Sequence, residues 1–132
     1  MASQEDWLLA YIRRAFKGVT LGDGVSLHYG EYLDSYRGDK RELALSQMDE
    51  REDWSKVSYD EMTLCYSAFT FMDAEGFRFY TAPCMSFMIE RPRAETNAHD
   101  WFLYNLKVER DGTLKNVPFD SLYNEQQKAA IV

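Results

Sequence analysis

Residues 67–83 read SAFTFMDAEGFRFYTAP, and the fold turns on this stretch. Phe69 and Phe71 precede a turn-forming tetrad, Asp73-Ala74-Glu75-Gly76, and Phe77 and Phe79 follow it. Aromatics two residues apart fall on one face of an extended strand, and a short polar tetrad ending in Gly closes hairpins. The spacing therefore predicts a central β-hairpin. Its opposite face would carry Arg78 and Tyr80, with Arg78 paired to Asp73 or Glu75 or free to hold a carboxylate.

Outward from this stretch, apolar periodicity predicts helices. Trp7, Leu8, Tyr11, Ile12, Ala15 and Phe16 form a helical stripe after Ser3, ending near Lys17. A glycine loop, VTLGDG, precedes a second stripe of Val25, Tyr29, Tyr32, Leu33 and Tyr36, in which Gly30 weakens the helix. Asp39 and Glu42 cap a third helix, reaching about Glu52 and carrying only a thin apolar seam. Ser58-Tyr59-Asp60-Glu61 is a capping box with Val57 and Met62 at the staple positions, so a fourth helix runs from there to about Tyr66.

After the hairpin, Pro83 suits a first helical position, and Pro92 ends that short helix. Residues 93–100 read as a loop. Trp101 to Glu109 alternates as a third strand, turned by Arg110-Asp111-Gly112, and Pro118 with Asp120 announces a last helix. The expectation is one α+β domain over residues 1–132, with about five to six helices packed on a small antiparallel sheet.

Composition bounds function. Hydrophobic residues are 45% of the chain, so a core is expected, and the net charge of -7 disfavours a nucleic-acid backbone. No stretch approaches the about 20 apolar residues of a membrane span, and the acidic N-terminus lacks a signal-peptide pattern. A cytoplasmic location is expected, with Cys65 and Cys84 as buried free thiols.

No nucleophile motif, phosphate loop or metal-ligand spacing is present, and His28 and His99 read as structural histidines. Neither cofactor nor metal is expected. The acidic run Asp49-Glu50-Arg51-Glu52-Asp53 before Trp54 stands out, because acids at a helix C-terminus oppose the macrodipole. Either Arg51 offsets them or the helix ends earlier. Alternatively Asp49, Glu50 and Asp53 form a face for a basic partner, with Trp54 as its anchor or as a core plug.

The acidic Asp49-Glu50…Asp53-Trp54 segment and the Ser67–Pro83 motif together resemble an uncharacterised bacterial family of small domains. That family shares an Asp-Glu-x-x-Asp-Trp segment followed by Asp-x-Glu-Gly and Arg-Phe-aromatic. Thr81-Ala82-Pro83-Cys84 and a shorter C-terminal helix depart from its pattern. The resemblance implies a bacterial origin and a shared fold, and no activity.

Three functions fit. The foremost is an interaction module of immunity or inhibitor type, binding through Asp49, Glu50, Asp53, Trp54, Arg78 and Tyr80. A second is a ligand binder or enzyme with a pocket between hairpin and helices, lined by Arg78, Tyr80, His28 and the acidic segment. The third is a homodimer pairing through a strand edge or through Met85, Phe87 and Met88; the chain is otherwise monomeric.

Overall fold

The computed structural model describes residues 4–34, 40–91, 97–107, 110 and 112–131. The order is α1 (Gln4–Ala15), α2 (Leu27–Asp34), α3 (Lys40–Ser46), a 3-10 turn (Trp54–Lys56), α4 (Tyr59–Leu64), α5 (Ala68–Phe71) and α6 (Ala74–Glu90). Then come α7 (Asn97–Asn105), β1 (Thr113–Leu114), β2 (Val117–Pro118), α8 (Phe119–Leu122) and α9 (Glu125–Ile131). The described residues are mostly helical, with one small antiparallel pair among them, in which Leu114 faces Val117. Lys115 and Asn116, both at positive φ, make its two-residue turn. Among the described residues no helix is long and apolar enough to cross a membrane.

The expected central hairpin is instead two helices joined at Asp73. Asp73 caps α6, its carboxylate accepting the Gly76 N–H at 2.9 Å. The tetrad that resembles a turn is therefore a helix start, with Glu75 in the first turn, where an acid favours the dipole. The phenylalanine spacing misled for a specific reason. Phe77 and Phe79 are fully buried, and burial runs without a gap from Phe79 to Cys84. A helix enclosed on nearly all sides has no exposed face to write a 3.6-residue period. Pro83 lies inside α6 rather than at its start, leaving the Phe79 carbonyl without its usual donor.

The expected strand from Trp101 is helix α7, which buries Ala98 and Phe102 one turn apart and exposes Leu103 and Tyr104. Phe77 stacks on Phe102 at 5.1 Å, and Phe69 meets both rings edge-on. The expected last helix breaks into α8 and α9 at Tyr123–Asn124. There Asn124 and Gln127 form a reciprocal capping box, with bonds of 2.8 and 3.0 Å. Gln127 also donates to the Ala15 carbonyl, closing the end of α1.

Helix α1 ends two residues before the expected Lys17, and α4 starts at its Ser58 cap, whose hydroxyl accepts the Glu61 N–H. Helix α3 stops at Ser46, well short of Glu52. The Ser3 and Asp39 caps, Ser35, Tyr36, Pro92 and Val108 lie outside the described residues.

Gly30 reverses its expected role. It is buried where α2 meets α5, and a Cβ there would sit 2.6 Å from the Ala68 Cβ. Gly30→Ala gains about 1 kcal/mol of helix propensity but forces the helices apart. A net loss of roughly 1–3 kcal/mol is expected in urea denaturation. A stabilised variant would show that α2 and α5 do not touch.

Candidate functional site

Three regions among the described residues gather polar or aromatic side chains. The first is built at the N-terminus of α2, whose leading N–H groups need acceptors. The Leu27 N–H donates to the Tyr80 hydroxyl at 3.1 Å, the His28 N–H to Asp49 Oδ2 at 3.0 Å, and the Tyr29 N–H to Ser26 Oγ at 3.3 Å. Tyr80 and Asp49, far apart in sequence, thus cap one helix. Burial pushes the Tyr80 hydroxyl's pKa up, which keeps it neutral in this role.

His28 then sits between acids. Its Nδ1 lies 2.8 Å from Glu42 Oε2 and 3.7 Å from Cys65 Sγ, and its Nε2 lies 3.8 Å from Asp49 Oδ1. The Asp49 side chain is only 4% exposed, while His28 and Glu42 remain partly open to solvent. Burial, and then the carboxylates of Glu31, Glu42, Asp49 and Glu61, push the Cys65 thiol up. The ligand atoms of His28, Glu42 and Cys65 all fall within 4.8 Å of one another, as do those of His28, Asp49 and Glu61. No spacing motif links residues 28, 42, 49, 61 and 65; of these, the acidic segment with Asp49 was expected near His28, and Glu42, Glu61 and Cys65 were not.

The second region holds Arg78. It pairs with neither Asp73, which caps α6, nor Glu75, and its buried Nε has no hydrogen-bond partner. Arg78 lines a cavity of about 410 Å³ with Lys17, Thr20, Ser121 and Asn124. The pocket expected from Arg78, Tyr80, His28 and the acidic segment is therefore divided between two places.

The third region is aromatic. Tyr66 packs on Trp101 with ring centroids 6.0 Å apart, and Trp101 and Tyr104 form an apolar groove of about 480 Å³ with Thr70 and Asp100. Tyr104 is 68% exposed. Beyond it the wall changes sign, because Tyr104 also borders a polar cavity of about 780 Å³ with Lys107, Arg110 and Lys115.

The rest of the acidic segment has local duties. Glu50 Oε2 accepts the N–H groups of Glu52 and Asp53, and Asp53 caps the 3-10 turn through Ser55. The Ser55 hydroxyl and N–H hold the exposed Asp53 carboxyl below the usual carboxylate range. Because α3 ends at Ser46, these acids do not oppose its dipole. Arg51 clamps the glycine loop, donating to the Gly22 and Gly24 carbonyls. Trp54 is 9% exposed, and its Nε1–H donates to the Phe16 carbonyl at 3.0 Å, so it plugs the core.

Trp54→Phe keeps most of the ring and strands the Phe16 carbonyl. A loss of about 1–2 kcal/mol is expected in chemical denaturation; a change under about 0.5 kcal/mol would remove this bond from the account.

No curated protein and no solved structure matches the sequence. A family model described as a family of unknown function, DUF6714, matches residues 4–132. The match takes in every helix described above, and the chain belongs to that family.

Proposed function

We propose that the protein is a small binding module, of immunity or inhibitor type, that docks a basic protein segment in the groove between α5 and α7. One observation carries the reading: Trp101 and Tyr104 line an apolar groove with the carboxylate of Asp100 at its edge. Large aromatics beside a solvated charge are the usual anchors of protein interfaces. The net charge of -7 steers a basic partner toward the molecule. Close to the groove, the opposite signs of Asp100 and of Lys107, Arg110 and Lys115 set the direction in which a segment lies. Asp53 and Glu50, at the surface, extend the acidic field, whereas Trp54 and Asp49 support it from within.

The test is capture from the native host with wild type, Tyr104→Ala and, as a control on another exposed side chain, Met48→Ala. A basic protein should be retained by wild type and by Met48→Ala, released by added salt, and bound about 30-fold more weakly by Tyr104→Ala. A partner held equally by Tyr104→Ala, or no salt-sensitive partner at all, overturns the reading.

A second reading rests on Arg78, whose buried Nε has no hydrogen-bond partner. Arg78 and Lys17 line one cavity, where an anion would meet two cations. Inorganic phosphate or a small carboxylate should raise the melting temperature of wild type and leave Arg78→Gln unmoved. An equal shift in both proteins, or none in either, would sink this reading.

A further inference from the structure

From the cluster around His28 we infer a binding site for a divalent transition ion of the zinc class, held by His28 Nδ1, Glu42 and Cys65. Tetrahedral coordination at about 2.0–2.3 Å sets ligand-to-ligand edges of roughly 3.3–3.7 Å. The Nδ1–Sγ distance of 3.7 Å already matches such an edge. The Nδ1–Oε2 distance of 2.8 Å is a hydrogen bond and opens by about half an ångström when both atoms turn to an ion. The third edge lies within 4.8 Å. Imidazole, thiolate and carboxylate together select zinc-like ions over magnesium or calcium, which prefer all-oxygen shells.

The opposite edge of the ring supports the assignment. Asp49 Oδ1 faces His28 Nε2, the place where a carboxylate orients a metal-binding imidazole and favours ligation through the other nitrogen. Asp49 Oδ2 is fixed by the His28 N–H, so this support is built into the start of α2. A site on the Nε2 side, with Asp49 and Glu61, would lack the sulfur and would displace that support. Partial exposure of His28 and Glu42 leaves an entry route for the ion.

The mounting of α3 gives a second, independent argument. Only Ser46 is buried on that helix, yet α3 is seated against α2. Apolar burial is a weak source of its attachment, and Glu42 links α3 to His28. An ion shared by Glu42, His28 and Cys65 would tie α3 to α2 and to the end of α4, coupling metal to folding. Binding exchanges the Cys65 thiol proton for the ion and releases that proton to solvent. The charges of thiolate and carboxylate then balance the ion's two.

The full chain, stripped with a chelator, is titrated with zinc alone and with cobalt(II) as a spectroscopic substitute. One ion per chain should bind, raise the melting temperature, and with cobalt give an intense thiolate-to-metal band and tetrahedral visible absorption. Cys65→Ser should lose that band and bind at least about tenfold more weakly, as should Glu42→Gln, while Cys84→Ser, buried elsewhere, should match wild type. The wild-type cobalt spectrum decides the matter even where a variant folds poorly. No binding, a spectrum without the thiolate band, or unchanged affinity in a folded Cys65→Ser overturns the site.

Discussion

One carboxylate oxygen organises the centre of this molecule. Asp73 Oδ1 accepts the N–H of Gly76, which starts α6, and the N–H of Val25, which fixes the loop leading into α2. The approach is so close that Gly76 has no room for a side chain, since a Cβ there would collide with the Val25 carbonyl. One turn along α6, the Tyr80 hydroxyl takes the Leu27 N–H and begins α2. Helix α2 in turn presents His28 to Glu42 and Asp49, and Gly30 to α5. The start of α6 thus sets the register of everything built on α2.

Helix α6 is the body that the other elements enclose. Its Phe77 stacks on α7, its Thr81 shares a hydrogen bond with Tyr123 beyond α8, and the 3-10 turn carrying Trp54 packs beside it. Lys115, from the turn of the small β-pair, reaches back to the Phe69 and Thr70 carbonyls at the end of α5. The strands therefore serve the helices, by delivering one cation to a helix C-terminus where it is favoured.

The outer helices were legible because they are amphipathic. The α1 stripe, the Ser58 box and the separate thin helix α3 each follow from a local pattern with one wet face. The centre was not legible, for the same physical reason in reverse. Phe77 and Phe79 are both buried because α6 is enclosed, and their spacing of two then imitates a strand. Alternation at Phe102, Tyr104 and Leu106 imitated one again, although only Phe102 is fully buried. The Asn124–Gln127 box was readable as Asn-Glu-Gln-Gln and marks the break between α8 and α9. The His28 cluster was not, because its members come from four separate segments and meet only through the fold.

These relations give the three regions a common frame: the aromatic groove is lined by α5 and α7, Arg78 lies on α6, and the His28 cluster hangs on α2. The stability of Asp73→Ala in chemical denaturation tests that frame most directly. Loss of two hydrogen bonds to one charged acceptor predicts a decrease of about 2 kcal/mol or more, with Asp73→Asn retaining most of the stability. An Asp73→Ala protein within about 0.5 kcal/mol of wild type would contradict the account at its centre.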